Sequence, residues 1–135
     1  MKNLEKLLLE DPYSMEKIKK NFFFKNYLNK LTLHHSNNSK EYKKLINYLG
    51  YSSKKKNEID KIPFIPVRLF KELNLLSIDK NKIIKVLSSS GTSGNKTSKI
   101  YLDKKNALNQ VKVLQKIMNK ILGSERLPML IIDKN

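Results

Sequence analysis

The stretch KVLSSSGTSGNKTSKIYLDK, residues 85–104, places a loop of serine, threonine and glycine between two apolar runs. The β-branched residues at 83–86 predict a buried strand that enters the loop, and SKIYLD at 98–103 predicts a second, short strand. Glycine lets a backbone turn its N–H groups inward as an anion nest, and Ser and Thr hydroxyls add donors. The stretch therefore predicts two strands joined by an exposed loop, Ser88 to Lys99, whose composition suits phosphate.

The end of this loop, Gly94 to Thr97, invites comparison with the P-loop of nucleotide hydrolases. The P-loop pattern, G-x-x-x-x-G-K-[ST], requires glycine directly before Lys96 and another glycine five residues earlier. Asn95 and Ser90 stand at those positions. A P-loop also opens a helix, whereas a strand is expected here, so the P-loop is excluded.

Two helices are predicted on the N-terminal side. Asp11-Pro12 favours a helix start, because the Asp side chain can cap free amides and proline at the first position loses no hydrogen bond. Apolar residues at helical spacing then predict a helix from about 14 to 33 with a core-facing stripe. His34-His35 falls at its end, where an imidazolium would interact favourably with the helix dipole without any catalytic role. The stripe consists of Ile18, Phe22, Leu28 and Leu31.

The next helix is predicted from Ser39, as its cap, to Leu49, with Gly50 as a left-handed stop. Residues 51–61 form a polar linker. The two prolines of IPFIP, residues 62–66, force extended backbone and allow one short helix from Val67 to about Leu73.

After the loop, a long amphipathic helix is predicted from Asp103, as cap, to Leu122, ending at Gly123. The apolar segment Leu127 to Asp133 predicts a further strand. Helices therefore come first, and strand, loop, strand, helix and strand follow, which makes the second half α/β. We expect a helical region with its linker at 1–61 and the beginning of an α/β domain at 62–135.

Composition limits the class of protein. The chain has 135 residues, 39% of them hydrophobic, which suits one domain or part of a larger protein. It contains no apolar run of transmembrane length and no signal peptide, so a cytoplasmic protein is expected. The absence of cysteine excludes disulfides, thiolate metal sites and thiol nucleophiles within these residues, and no metal ligand is assigned.

A formal charge of +16 raises the alternative of a basic domain that binds nucleic acid or an anionic surface. Only Arg68 and Arg126 among the 28 basic residues are arginine, although nucleic-acid binders favour the guanidinium fork for phosphates and guanines. No segment resembles a recognition helix or a zinc finger. Specific nucleic-acid binding is therefore not expected, and the basic-domain interpretation stays as the alternative.

SSGTSG, Ser89 to Gly94, resembles the phosphate-binding loop of the AMP-forming adenylate superfamily, a Ser/Thr-Ser-Gly-Thr/Ser-Thr/Ser-Gly motif that joins two strands. Further segments occur in the order found in the acyl-protein synthetase, or LuxE-type, family, so the resemblance spans nearly the whole chain. These segments are LTLHH (31–35), YKKLINYLG (42–50), IPFIPVRLFKE (62–72), SKIYLD (98–103) and RLPMLIID (126–133).

The resemblance implies a fold and a reaction. The fold would be α/β, with N-terminal helices followed by the start of an adenylate-forming, acyl-CoA-ligase-like sheet that carries the strand–loop–strand phosphate motif. With ATP and Mg²⁺, such enzymes activate a fatty acid as acyl-adenylate and transfer the acyl group to one of their own cysteines. In luminous bacteria the acyl group goes on to a reductase partner that makes the aldehyde for luciferase.

Carried over by position, the resemblance implies that the loop surrounds the β- and γ-phosphates of ATP. Thr92 and Ser93 would act on the departing pyrophosphate and are the candidate catalytic residues. A Pro-Lys often follows the last glycine in the superfamily, but Asn95-Lys96 stands there, so Lys99 is preferred to Lys96 as the phosphate-contacting lysine. The candidate ATP-binding residues are Ser89, Ser90, Gly91, Thr92, Ser93, Gly94 and Lys99.

The chain also departs from the family pattern. Family members are several hundred residues long and carry an acceptor cysteine, whereas this chain has 135 residues and no cysteine. We therefore expect an N-terminal fragment of a synthetase that is inactive alone.

Overall fold

The computed structural model describes residues 4–52, 55–89, 97–128, 130 and 132. Helices occupy the first half, and a two-stranded sheet followed by a long helix occupies the second, which agrees with a mixed α/β class. The elements are α1 (Leu4–Leu7), α2 (Lys17–Asn38), α3 (Lys40–Tyr48), α4 (Leu69–Glu72), β1 (Ile83–Ser88), β2 (Lys99–Asp103) and α5 (Lys104–Leu122), with 3₁₀ turns at Ile59–Lys61 and Lys80–Lys82.

The first long helix, α2, begins and ends later than predicted. Asp11 caps no helix: its carboxylate pairs with Lys120, and its carbonyl oxygen accepts hydrogen bonds from the amide (3.2 Å) and hydroxyl (2.7 Å) of Ser14 in a turn. The helix starts at Lys17 and runs to Asn38, whose side-chain amide donates to the carbonyl of His34 at 2.7 Å. The predicted start at Asp11-Pro12 is therefore wrong, since the chain turns at these residues and the helix begins at Lys17.

The predicted core-facing stripe of α2 is covered only in its second half. Helix α3 and the turn Ile59–Lys61 both contact α2, and Ile46 of α3 is 1% exposed. Ile18 and Phe22, near the start of α2, are 83% and 66% exposed. Only part of the apolar face therefore packs against another element among the described residues.

The second helix and its caps are confirmed. The Ser39 hydroxyl accepts the amide of Tyr42 at 3.3 Å, and Gly50 adopts a φ of +67° after the helix ends. A left-handed conformation at this position favours glycine over any residue that carries a Cβ.

The polar linker is anchored to α2. The Asn29 side-chain amide donates to the carbonyl of Asn57 at 2.8 Å, and the Asn57 amide donates to the Asn29 oxygen at 2.8 Å. Lys25 also pairs with Glu58. The side chain of Asn29 thus satisfies both the backbone N–H and the backbone carbonyl of Asn57, and these two hydrogen bonds fix the path of the linker.

The strand–loop–strand prediction is confirmed in its strands. β1 and β2 pair in antiparallel fashion, with Val86 opposite Tyr101 and an irregularity between Ile83 and Lys85. The prediction that the first strand is buried is wrong, because Ile84 and Val86 are 59% and 48% exposed. Alternate residues of a strand face opposite sides, and α5 packs against this small sheet while Ile84 and Val86 keep exposed side chains.

The last helix is confirmed at both ends. The Asp103 carboxylate accepts the amide of Asn106 at 2.7 Å, and Gly123 follows the helix with a φ of +86°. α5 contacts both strands, and its Ala107 is buried together with Leu102 of β2. The predicted packing of this helix on the sheet is therefore confirmed.

The prediction of a strand from Leu127 to Asp133 is wrong for those residues of the segment that the structure describes. Leu127, Pro128, Leu130 and Ile132 are described and none of them is in a strand, while residues 129, 131 and 133–135 lie outside the described part. A strand needs a partner to complete its hydrogen bonds, and the sheet described here contains only β1 and β2. Within the described residues, no helix combines the length and apolar character needed to cross a membrane.

Candidate phosphate-binding site

Two serines close the neck of the loop between β1 and β2. The Ser89 amide donates to the Ser98 carbonyl at 3.2 Å. The Ser98 amide and hydroxyl both donate to the Ser89 hydroxyl oxygen, at 3.3 Å and 2.8 Å. Ser98 is 9% exposed, whereas Ser89 is exposed, so the bonds of this neck are partly buried. The hairpin ladder thus extends one residue pair beyond the strands and brings both ends of the loop together.

The structure places two of the seven candidate ATP-binding residues. Ser89 lies in the neck, and Lys99 is the exposed first residue of β2, directly opposite Ser88. Both therefore stand at the loop end of the hairpin. Ser90, Gly91, Thr92, Ser93 and Gly94 lie outside the described residues.

The predicted loop boundaries, Ser88 and Lys99, are themselves strand residues. Sequence reasoning missed Ser98 as part of this site. Ser98 stands directly opposite Ser89 in the antiparallel hairpin. This pairing could have pointed to Ser98, but it can be recognised only once the strand register is known.

The hydrogen bonds of Ser89 determine which further interaction its hydroxyl group can make. Its oxygen accepts two hydrogen bonds from Ser98, and a hydroxyl group that accepts hydrogen bonds can also donate its own O–H. A donor at the loop entrance, with Lys99 one ladder position away, makes this end of the hairpin suited to an anion.

The outer side of the hairpin is tied to the segment after α4. The Tyr101 hydroxyl donates to the Asn74 side-chain oxygen at 3.1 Å, and α4 contacts β2. A further bond connects this segment to α2, because His35 Nδ1 and the Ser77 hydroxyl lie 2.8 Å apart. The helical region is thus linked to the segment that leads into the sheet.

The His35 ring disagrees with the expectation of an imidazolium at the helix end. Burial lowers the pKa of His35, and the neighbouring His34 lowers it further. Burial also raises the pKa of Tyr42, whose ring packs edge-on against His35 with centroids 5.8 Å apart. Desolvation outweighs the helix dipole here, so the neutral imidazole is favoured.

The positive charge of α5 is partly neutralised within the chain. We call residues 4–15 the N-terminal strap. Glu5 pairs with Lys105 at 2.7 Å, Asp11 pairs with Lys120, and the Lys116 ammonium donates to the Glu10 carbonyl at 3.3 Å. The hydrogen bond and charge of Lys105 lower the pKa of Glu5, and Glu5 raises the pKa of Lys105 in return.

The N-terminal strap thus engages Lys105, Lys116 and Lys120 of α5 in contacts within the chain. Nucleic-acid or anionic-surface binding stays an untested alternative prediction, and a filter-binding titration with salt is its test. A steep loss of affinity with salt together with sequence preference would support it.

The fold and site define a class: a helical region followed by an antiparallel hairpin whose Ser/Thr/Gly loop has a closed neck. The family model described as "Acyl-protein synthetase, LuxE" matches residues 2–135. The chain therefore belongs to the acyl-protein synthetase (LuxE) family. A search of curated proteins gave no significant match. A search of solved structures gave none either.

Proposed function

We propose that the chain supplies the phosphate-binding part of an ATP-dependent acyl-protein synthetase that activates a fatty acid as acyl-adenylate. The observation that carries this proposal is the family match over residues 2–135. The paired strands on either side of the Ser/Gly loop support it, because a phosphate loop needs both of its ends fixed.

The chemistry explains why such a loop is needed. A carboxylate oxygen of the fatty acid attacks the α-phosphorus of ATP, the bond to the bridging oxygen breaks, and pyrophosphate leaves with the additional negative charge. Preorganised N–H and O–H donors stabilise that charge as it develops. Thr92 and Ser93 supply hydroxyls in this role, Ser89 and Ser90 add donors, and Gly91 and Gly94 let the amides turn inward.

Mg²⁺ bound to the phosphates would neutralise part of the same charge. Among the described residues, no group of three histidine, aspartate or glutamate side chains is placed to hold a metal ion. We therefore assign the ion no protein ligand here, and Lys99 is the positive group at the loop end of the hairpin.

The transfer step requires a residue that this chain does not contain. A cysteine thiolate would attack the acyl carbon and release AMP, and the 135 residues include no cysteine. The acceptor cysteine of the proposed enzyme must therefore lie outside these residues.

The test is fatty-acid-dependent exchange of pyrophosphate into ATP, measured on the enzyme that contains these residues and the acceptor cysteine. Replacing Thr92 or Ser93 with Ala should slow exchange by about 10- to 1000-fold, the range for removing one preorganised donor. Fatty-acid binding should weaken much less, because the lost interaction is strongest in the transition state.

Thr97→Ala, at the end of the loop and outside the motif, is the matched control and should retain normal exchange. The 135-residue chain alone should give no exchange. Normal exchange by the Thr92→Ala, Ser93→Ala double variant would remove the loop from the mechanism, and exchange by the 135-residue chain would show that it needs no further residues.

A further inference from the structure

A groove of about 580 Å³ lies between the N-terminal strap and α2. Its volume is within the range of about 300–1,000 Å³ that small-molecule sites occupy. We propose that this groove binds the hydrocarbon chain of a free alkyl carboxylate, with the carboxylate at the end of the groove near Lys30. The inference rests on the proposed function only for the choice of a carboxylate as the head group.

The lining of the groove suits a hydrocarbon. Met15 of the strap and the aromatic residues Phe22, Phe23 and Tyr27 of α2 line it. The rings of Phe23 and Tyr27 are stacked, with centroids 5.6 Å apart and planes 11° from parallel, so the two rings pack against each other in the lining. Phe22 lines the same groove and is 66% exposed. A ligand that covers this surface would remove apolar area from water.

The positions of the lining residues along α2 favour a linear ligand. The α2 residues that line the groove run from Lys19 to Lys30. At 1.5 Å rise per residue, this part of the helix is about 16 Å long. An extended alkyl chain can follow the apolar residues that line the groove along this part of the helix.

The charges place the head group. Lys19, at one end, already pairs with Glu16 at 3.1 Å, and Glu10 also has a partner. Lys30, at the other end, makes no ion pair within the part of the chain that the structure describes. A ligand carboxylate at Lys30 would supply the missing counter-charge, whereas a cationic head group would be repelled there.

The first experiment measures binding by isothermal titration calorimetry, with the 135-residue chain and octanoate, decanoate and dodecanoate, each below its micelle concentration. Each added methylene should lower Kd by about fourfold until the groove is filled. Dodecylammonium should bind at least tenfold more weakly than dodecanoate. No dependence of Kd on chain length, or equal affinity for the cation, would overturn the proposal.

Variants locate the site. Phe22→Asp should weaken dodecanoate binding at least tenfold, while Tyr48→Asp, at an exposed position on α3, should not change it. Lys30→Gln should remove the preference for dodecanoate over dodecanol and leave the chain-length dependence intact. Lys40→Gln, an exposed lysine of α3, is its control. Circular dichroism reports whether each variant is folded, and unchanged binding by both groove variants would disprove the location.

Two further outcomes are informative. The chain could bind anionic phospholipid vesicles and fail to bind monomeric dodecanoate. That result would identify a lipid surface, and not a free acid, as the ligand, and it would overturn the proposal. The exchange assay on Thr92 and Ser93 variants is independent of these measurements. Loss of the groove proposal would therefore leave the proposed role of the loop standing, and the reverse also holds.

Discussion

At the scale of single residues, the Ser89–Ser98 pair decides how the candidate phosphate loop is held. Three hydrogen bonds connect these two residues, and two of them end on the Ser89 hydroxyl oxygen. A loop whose ends are fixed loses less conformational entropy when it binds a ligand. The serine pair therefore contributes to stability and to preorganisation of the loop.

Replacing Ser98 with Ala should lower the free energy of unfolding by about 1 kcal/mol, the net contribution of one partly buried hydrogen bond. Urea unfolding followed by circular dichroism measures this change. Ser124→Ala, at an exposed position, is the matched control and should change stability by less than about 0.5 kcal/mol. Equal stability of the two variants would show that the neck bond contributes nothing.

His35 makes stability depend on pH. Its pKa in the folded chain is lowered from 6.5 by burial and by His34, so the unfolded state binds more protons as pH falls below about 6.5. The stability that the neutral ring contributes is fully present above pH 6.5 and is lost as pH falls through the folded pKa. Glu5 and Asp79, whose pKa values are lowered by Lys105 and Lys82, titrate below this window.

Urea midpoints measured at pH 7.5 and 5.5 test this linkage. The wild-type chain should lose stability over that interval, and His35→Gln should lose less. His34→Gln removes an exposed imidazole and should keep most of the wild-type dependence. The same pH dependence in His35→Gln as in the wild type would assign it to other groups.

At the scale of elements, the N-terminal strap depends on α5. Contacts between residues more than 90 positions apart in sequence hold the strap in place, through Glu5 with Lys105 and Asp11 with Lys120. Apolar side chains of the strap also line a cavity with Val113 and Ile117 of α5. Exposed ion pairs contribute little individually, so the strap should open more easily than α5 unfolds.

Lys120→Met should speed hydrogen exchange at the amides of Leu8, Leu9 and Glu10, which are bonded within the strap. An exposed pair is worth at most about 1 kcal/mol, so the increase should be about two- to fivefold. Lys104→Met, which removes a lysine without a described ion pair, should leave these amides unchanged. The difference should vanish in about 1 M salt, where the Debye length is about 3 Å. An effect that survives high salt would exclude the ion pair as its cause.

At the scale of the whole molecule, α5 carries an apolar face that no described element covers. Leu114 and Ile121 are 61% and 69% exposed, and Leu108 and Val111 are exposed as well. Such a continuous face is unusual on a monomeric protein and promotes association. The formal charge of +16 opposes association by repulsion until salt screens it.

The 135-residue chain should therefore self-associate as salt and protein concentration rise, as followed by sedimentation velocity. Leu114→Lys should reduce association and the binding of a hydrophobic dye. Asn119→Lys adds the same charge at an exposed polar position of α5 and should have a smaller effect. Equal behaviour of the two variants would show that charge alone, and not the apolar face, controls association.

Local chemistry in the sequence determined the features that depend on neighbours along the chain. Ser39 and Asp103 cap helices because their side chains reach amides three residues on, and Gly50 and Gly123 follow helix ends because glycine adopts positive φ easily. The β-branched run before the loop and the short segment after it also predicted two strands correctly. The ordered motifs predicted the family that the match over residues 2–135 shows.

Tertiary structure alone decided which apolar residues are covered. Ile18, Phe22, Ile84 and Val86 have the spacing of core residues, yet they are exposed, because burial requires a partner surface and periodicity identifies only the face that could use one. Asp11 is a residue type that often caps helices, but in the folded chain it lies in a turn and forms an ion pair with Lys120. The Ser89–Ser98 neck joins residues nine positions apart, and the groove lies between the strap and the helix that follows it, so both depend on how the chain folds back on itself.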